Sequence, residues 1–247
     1  MMGDRPRFYL PRSQWEPGPP SLSGDEAKHC SRVLRMVSGD ELEIFDGEGR
    51  SARASVQQVS NQSIALELIT PAVEEPLRVP ILLAAAIPKG QTMEDIVRQA
   101  TEIGATRIVP LLTERCVVKV DDPNRRREKW QRVALEACKQ CGRNWLPVVE
   151  APLRLDTFLS AALDSSELRC VAALSDEAAP LVHWWPGPTP PSSVSVLTGP
   201  EGDFTPREME KLLGAGYHPL WLGPHILRAD TAATYALSIL SQRFLFL

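Results

Sequence analysis

The strongest constraint on the fold is a change of hydrophobic pattern near residue 80. Before it, short segments such as ELEIF (41–45) and SIALELI (63–69) alternate apolar and polar residues, which predicts half-buried strands. After it, unbroken apolar segments such as ILLAAAI (81–87) alternate with segments of helical periodicity. This second pattern predicts buried parallel strands connected by helices. The chain is therefore expected to contain two domains of different class.

Chain length supports that division, because 247 residues are many for one ordinary domain but enough for a small and a medium one. Several short strands and the single helical segment DEAKHCSRVLRMV predict a small closed or nearly closed β-barrel over residues 1–70. Prolines and charges indicate a linker over residues 71–80. Residues 81–247 then form the predicted α/β domain.

Several helices of the second domain carry terminal signals. Gly104 follows the amphipathic segment TMEDIVRQATEI, and Thr205-Pro206-Arg207-Glu208 is a capping box with proline at the first helical position. A helix over about residues 123–141 presents a row of cations: Arg125, Arg126, Arg127, Lys129 and Arg132. Such a row is typical of a solvated face, and a nucleic-acid contact is the alternative.

Charge and composition restrict partners and location. The formal net charge is −4, so contact with nucleic acid requires a local basic surface. Neither a signal peptide nor a membrane span is recognisable, which predicts a cytoplasmic protein. The five cysteines are expected to be reduced thiols. The Cys138–Cys141 pair lacks a second pair at metal-binding spacing, and the histidines are dispersed, so no metal site is predicted.

Two glycine-bearing segments follow predicted strands of the α/β domain. Gly199-Pro200-Glu201-Gly202 comes after SVSVL, and Gly223-Pro224-His225 comes after YHPLWL. Ligands of open α/β sheets bind at the carboxyl ends of strands, where glycine permits close approach of the backbone. The spacings of phosphate and dinucleotide loops are absent. The loops therefore suit an uncharged or zwitterionic ligand, and an adenosine carrying a methionine fits this description.

Together, LTGPEGDFTPREM (197–209) and LGPHILRADTA (222–232) resemble the paired C-terminal motifs of the SPOUT superfamily. More specifically, they resemble the bacterial ribosomal RNA small-subunit methyltransferases of the E type, which act on uridine N3. The likeness covers nearly the whole chain. HCSRVLRMVSGDELEIFDGEG is similar to that family's PUA-like barrel, and the segment from AAAIPKGQTMEDIVRQ to LLTERCVV is similar to its first catalytic block. EACKQCGR is similar to its middle signature.

The resemblance implies a SPOUT methyltransferase domain with a C-terminal trefoil knot, an exception to the rule that chains are unknotted. It also implies a homodimer, bound S-adenosylmethionine, and small-subunit ribosomal RNA as substrate, either free or in the assembled subunit. By position, the implied cofactor contacts are Leu197, Thr198, Gly199, Pro200, Gly202, Leu222, Gly223, Ile226 and Leu227. Two alternatives share parts of the pattern: a SPOUT enzyme for another RNA position, and a noncatalytic RNA-binding assembly protein.

Arg228 is the first candidate for catalysis, because a guanidinium can stabilise negative charge on the uracil as N3 loses its proton. The alternative is that Arg228 braces the fold through a carboxylate such as Asp230. Glu201 is a candidate base, although a carboxylate near a sulfonium stabilises the ground state. The predicted RNA contacts are Lys28, Arg32, Arg35, Lys89 and Arg143. Lys89 and Arg143 could instead be ordinary helix-end or loop cations.

Two positions depart from the family pattern. Asp203 stands where the family usually has the last glycine of GPEGG, and the segment 228–231 contains Asp230 where a glutamate is usual. Asp203 precedes the Thr205 cap, where a helix dipole favours a carboxylate. Asp230 keeps the charge but has a shorter reach.

Overall fold

The computed structural model describes residues 5–15, 19–60, 62–161 and 164–244. The chain folds into two compact units. The first comprises Met1–Pro76 with Cys138–Leu146, and the second comprises Leu77–Ala137 with Pro147–Leu247. Within the described residues, no helix combines the length and apolar character needed to cross a bilayer.

The first unit contains one sheet of five strands in the order β1-β3-β4-β5-β2. Its strands are β1 (Arg7–Tyr9), β2 (Ser21–Ser23), β3 (Glu41–Phe45), β4 (Arg50–Val59) and β5 (Ser63–Val73). β1 pairs with β3 in parallel, and the other pairings are antiparallel. Side chains from all five strands, including Phe8, Leu22 and Ile44, meet in one buried cluster. A common core shared by every strand is the arrangement expected of a barrel or half-barrel.

The predicted helix of the first unit is helix α1 (Gly24–Lys28), which continues as a π-helical turn over His29–Val33. Ala27 and Cys30 point into the core. The helical path ends at Arg35, whose φ of 55° is left-handed. Exposed residues 32–35 therefore form a projecting corner of this unit.

The second unit contains a parallel sheet of seven strands. These are β6 (Ile81–Ala86), β7 (Arg107–Leu112), β8 (Val148–Val149), β9 (Leu153–Arg154), β10 (Leu168–Ala172), β11 (Val194–Thr198) and β12 (His218–Leu220). The order is β12-β10-β11-β6-β7-β8, and β9 pairs with β7. Strand β11 therefore separates β10 from β6. Because β10 and β11 pair in parallel, their carboxyl ends lie side by side, where ligands of such sheets bind.

Helices α2–α7 connect or follow these strands. They are α2 (Thr92–Ile103), α3 (Pro123–Cys141), α4 (Leu155–Ser160), α5 (Leu181–Trp184), α6 (Pro206–Gly214) and α7 (Ala229–Phe244). Gly104 ends α2 with a left-handed φ of 119°, as its position predicts. Helix α7 packs against α2, β6 and β11. It therefore lies beside the strand that leads into the first glycine loop.

The domain boundaries differ from the sequence-based ones in two places. β5 continues to Val73, so the first residues of the predicted linker pair with β4. In addition, residues 138–146 group with the first unit. Trp145 explains part of this grouping, because its indole N–H donates to the Glu74 carbonyl at 3.0 Å. Such long-range pairing has no signature in the local hydrophobic pattern.

All five cysteines are free thiols, as predicted. Cys30, Cys138 and Cys170 are buried, whereas Cys116 and Cys141 are partly exposed. Burial raises the pKa of Cys30 to about 11 and the pKa values of Cys138 and Cys170 to about 12. The CxxC pair thus contains an unreactive thiol and has the character of a packing element.

Candidate active site

A cleft lies at the carboxyl ends of β10, β11 and β12. Its walls are mainly small or aliphatic, and its polar side chains are Glu201, Asp203 and His225. The remaining lining residues are Ala172, Ala173, Leu174, Gly199, Pro200, Leu222, Ile226, Leu227, Ala229 and Ala232. Both glycine loops therefore contribute to one concave site, which is where ligands bind in parallel α/β sheets.

The first loop, residues 199–205, turns back tightly on itself and is called the braced loop below. The Asp203 amide donates to the Pro200 carbonyl at 2.9 Å. A Cβ atom on Gly199 would lie 2.6 Å from Asp203 Oδ1 and 3.0 Å from Asp203 Cα. The turn itself therefore requires glycine at position 199. This requirement does not depend on a bound ligand.

Asp203 has a left-handed φ of 58°, a region that glycine occupies without strain and aspartate tolerates. This explains how aspartate can stand where the resembled family has glycine. Its Oδ1 accepts the Phe204 amide at 2.8 Å. Burial raises the pKa of the Asp203 carboxyl, and the Phe204 amide and the positive charge of Arg115 partly oppose that shift.

Two other loops hold the braced loop. Lys89, after β6, donates its amide to Glu201 Oε1 at 2.9 Å. Arg115, after β7, donates to the carbonyls of Gly202 at 2.5 Å and Phe204 at 3.4 Å. A Cβ atom on Gly202 would lie 3.2 Å from Arg115 Cδ. Gly202 thus makes room for the arginine stem.

Helix α6 fixes the end of the braced loop. Thr205 Oγ1 accepts the Glu208 amide at 3.2 Å, and Glu208 Oε2 accepts the Thr205 amide at 2.9 Å. This is the predicted capping box. The second oxygen of buried Glu208 accepts the Glu114 amide at 2.8 Å. The cap therefore connects α6 to the same segment that supplies Arg115.

The second loop, residues 222–228, has few such restraints and is called the open loop below. Gly223 has a φ of 116°, and a Cβ atom there would meet nothing within 4 Å. Ile226 is 86% exposed. The Arg228 carbonyl accepts the Ala232 amide at 2.8 Å, so the loop ends at the first turn of α7.

The predicted cofactor residues separate into two groups. Gly199, Pro200, Leu222, Ile226 and Leu227 line the cleft. Leu197 and Thr198 are buried in β11, and Gly202 and Gly223 shape their loops without lining the cleft. Sequence reasoning missed the wall formed by Ala172, Ala173 and Leu174, because nothing in that segment distinguishes it from an ordinary strand end.

Of the two catalytic candidates, Glu201 lines the cleft and Arg228 does not. One Glu201 oxygen is engaged by the Lys89 amide. Arg228 is exposed and follows the lining residue Leu227. In the described part of the chain its side chain has no salt bridge or hydrogen bond, so no contact there supports the alternative of a brace to a carboxylate such as Asp230.

The candidate RNA contacts are distributed over both units. Arg32 and Arg35 are exposed on the corner of the first unit. Lys28 pairs with Asp25 at 3.0 Å. Lys89 is exposed in the second unit. Burial lowers the pKa of Arg143, which is partly buried.

A metal centre was not predicted from the sequence. Among the described residues, no group of three or more His, Cys, Asp or Glu side chains lies close enough together to hold a metal ion.

Comparison with protein families agrees with this architecture. The RNA methyltransferase domain family matches residues 74–241, and the RNA methyltransferase PUA domain family matches residues 22–69. The chain therefore belongs to the RNA methyltransferase family and carries that family's PUA domain.

Its relatives include two proteins named ribosomal RNA small subunit methyltransferase E. The one from Synechocystis is 37% identical and covers 88% of this chain and 71% of the relative. The one from Bacillus subtilis is 32% identical, and the match covers 95% of this chain and 94% of the relative. These relatives place the chain with the E-type group that its motifs resemble.

Solved structures give the same grouping. A Legionella pneumophila protein, determined with bound cofactor SAM, is 33% identical with a TM-score of 0.86, covering 97% of this chain and 98% of the other. A ribosomal RNA small subunit methyltransferase E from Neisseria gonorrhoeae, bound to S-adenosyl methionine, is 26% identical with a TM-score of 0.84. That match covers 96% of this chain and 97% of the other.

Proposed function

We propose that this protein transfers the methyl group of S-adenosylmethionine to N3 of a uridine in small-subunit ribosomal RNA. The observation that carries the proposal is the cleft, in which both resemblance motifs meet at the ends of adjacent parallel strands. The bound cofactor in the Legionella and Neisseria structures supports S-adenosylmethionine as its ligand.

The chemistry of the lining suits that cofactor. Small residues such as Ala172, Ala173 and Gly199 leave main-chain groups accessible, and Leu222 and Leu227 offer apolar walls for a purine. Glu201, Asp203 and His225 are the polar side chains available to the ribose hydroxyls or the amino-acid part. When bound, the cofactor supplies an electrophilic methyl group on a sulfonium.

Transfer to N3 requires loss of the imide proton to a base, which places negative charge on N3 and the two carbonyl oxygens until the methyl group arrives. Arg228 can stabilise this charge because its exposed side chain has no hydrogen bond or salt bridge among the described residues and directly follows the lining residue Leu227 in sequence. Glu201 already accepts a main-chain N–H, so we assign it a positioning role ahead of general-base catalysis.

RNA affinity is assigned to the exposed arginines of the first unit, with a contribution from the cationic face of α3. Arg32 and Arg35 are both exposed, and neither has a salt bridge among the described residues. Replacing both with alanine is expected to reduce the salt dependence of RNA binding by about two counterions. An unchanged slope would remove them from the RNA surface.

The finer structural expectations belong to the same proposal. The order of β10, β11 and β6 is compatible with a trefoil knot, and the resembled family is homodimeric and acts on ribosomal RNA in the cytoplasm. Sedimentation of the purified protein tests the dimer. A monomer that retains full methyl transfer would contradict that part of the proposal.

The deciding experiment maps modified nucleotides in ribosomal RNA from a strain lacking the gene and from the same strain complemented with it. The expected result is loss and recovery of one N3-methyluridine in small-subunit RNA. Loss of a methyl group at another position favours the alternative specificity. RNA binding without any methylation change favours the noncatalytic alternative. Assays with free RNA and assembled subunits identify the substrate.

A further inference from the structure

The cleft has an unusual charge balance for a site that is proposed to bind a charged ligand. Two carboxylates, Glu201 and Asp203, line it, and none of the described lining residues is a lysine or arginine. The guanidinium of Arg115 is bound to the Gly202 carbonyl, and Arg115 is not among the residues that line the cleft. The ligand-facing side is therefore the more negative one.

This balance matters because methyl transfer changes the charge of the ligand. S-adenosylmethionine carries a sulfonium, an ammonium and a carboxylate, which gives a net positive charge. S-adenosylhomocysteine, the product, lacks the sulfonium and is neutral overall. Both molecules otherwise have nearly the same shape, so a site made only of apolar walls and main-chain groups would distinguish them poorly.

We propose that Asp203, together with Glu201, makes the cleft bind the cationic methyl donor more tightly than the neutral product. This inference rests on the proposed function. Asp203 is the distinctive member of the pair, because it stands where the resembled family usually has glycine. Aspartate tolerates the left-handed φ of 58° at this position, so the turn can carry a carboxylate there.

The environment of Asp203 supports this role. The side chain is half-buried and lines the cleft, so a ligand charge there is less screened than on the open surface. Burial raises the pKa of Asp203, and a cationic ligand offsets this because it favours the ionised carboxylate. Glu201 adds charge from a fixed position, because its Oε1 is held by the Lys89 amide.

The same interaction has a kinetic consequence. A carboxylate that stabilises the sulfonium state favours cofactor binding but does not lower the barrier to transfer, because the positive charge is lost along the reaction. Removing the carboxylate should therefore weaken cofactor binding without reducing the single-turnover rate at saturating cofactor. Product inhibition should become stronger relative to cofactor binding.

The test measures dissociation constants of S-adenosylmethionine and S-adenosylhomocysteine by calorimetry. Asp203→Asn removes the charge but keeps an oxygen for the Phe204 amide, and asparagine tolerates positive φ. We expect roughly fivefold weaker binding of the donor and less than about twofold for the product, as for a partly screened ion pair. Glu210→Gln is the matched control, since Glu210 is exposed on α6 and outside the cleft.

Asp203→Gly is the second variant, because it removes the carboxylate and also relieves the left-handed backbone. It should show the same loss of discrimination even if the asparagine variant is poorly folded. Equal changes in both affinities, or no change in either, would overturn the inference. A parental protein that binds neither ligand would instead refute the proposed cofactor, so the two failures are distinguishable.

Discussion

The two loops of the cleft differ in how strongly the protein holds them. The braced loop is fixed from three directions, by Lys89, by Arg115 and by the Thr205–Glu208 cap. The open loop is held mainly at its end, among the described residues, where the Arg228 carbonyl accepts the Ala232 amide in the first turn of α7. Ile226, within this loop, is 86% exposed.

This difference indicates a division of labour. A preorganised wall holds a ligand without the entropic cost of ordering it on binding. A wall with few hydrogen bonds and exposed side chains belongs to the low-stability part of a structure and can adapt to a second substrate. We expect the braced loop to determine cofactor affinity, and the open loop to determine the rate of transfer to RNA.

The largest expected effect comes from the open loop. Arg228→Ala should reduce single-turnover methyl transfer by about 10²–10³-fold, the loss typical of removing one donor that stabilises charge in the transition state. Cofactor affinity and thermal stability should be nearly unchanged, because no protein partner of the side chain is seen in the described chain. Lysine should restore only part of the rate.

The control for that measurement is Arg207→Ala, which removes an exposed arginine from α6. Transfer at the parental rate by a folded Arg228→Ala variant that binds both ligands would show that Arg228 is not catalytic. Joint loss of stability and cofactor binding would instead indicate a bracing role and would abolish the contrast between the loops.

A valine at Gly199 should damage the braced loop most. Its Cβ would lie 2.6 Å from Asp203 Oδ1 and 3.0 Å from Asp203 Cα, so the Asp203 side chain or the turn must shift, and we expect about 1–3 kcal/mol of destabilisation from the steric overlap. Calorimetry should show at least tenfold weaker cofactor binding. This loss corresponds to about 1.4 kcal/mol of binding free energy, which is similar in size to the expected destabilisation.

Gly187→Val is the matched control, because a Cβ at Gly187 meets nothing within 4 Å. It should bind cofactor as the parent does. Gly223→Val tests the open loop, where the strain comes from a φ of 116° and not from a neighbour. Undiminished affinity in the folded Gly199 and Gly223 variants would place the cofactor elsewhere.

A smaller effect is expected for Arg115→Ala. The variant leaves the Gly202 and Phe204 carbonyls without their guanidinium donor, so the free energy of unfolding should fall by about 1–2 kcal/mol. Cofactor affinity should fall about fivefold, since the loop must then be ordered on binding. Arg115→Lys should recover part of both. Equal cofactor affinity in all three proteins would mean that the brace does not organise the site.

The smallest effect on stability is expected for Glu201→Gln, whose side-chain carbonyl can still accept the Lys89 amide. Stability should be within about 0.5 kcal/mol of the parent, whereas Glu201→Ala should lose about 1 kcal/mol with the hydrogen bond. Loss of two or more orders of magnitude in single-turnover transfer by the glutamine variant would establish Glu201 as a general base and refute its positioning role.

Much of the secondary structure was predictable because its signals are local. β3 occupies the predicted residues 41–45, α3 occupies 123–141, and the Thr205 cap forms as expected. The first glycine loop was also found, but its physical reason was incomplete. Gly199 accommodates Asp203 within the turn, which a pattern of glycines and prolines does not reveal.

The unpredicted parts of the site depend on contacts between distant segments. Arg115 reaches Gly202 across a sequence separation of 87 residues, and the Ala172–Leu174 wall joins the cleft because β10 lies beside β11. Such neighbours are set by strand order, which local periodicity cannot specify. The sequence therefore predicted the fold class better than it predicted the distant contacts that hold the cleft together.

Because three of the five thiols are buried, Cys116 is one of only two partly exposed cysteines available for selective labelling. Cys30, Cys138 and Cys170 are buried with pKa values raised to about 11–12, so little thiolate is present at neutral pH for alkylation. Cys116 and Cys141 remain partly exposed. Cys116 directly follows Arg115. With Cys141 replaced by serine, a fluorophore on Cys116 would follow loop ordering during cofactor titration without an added cysteine.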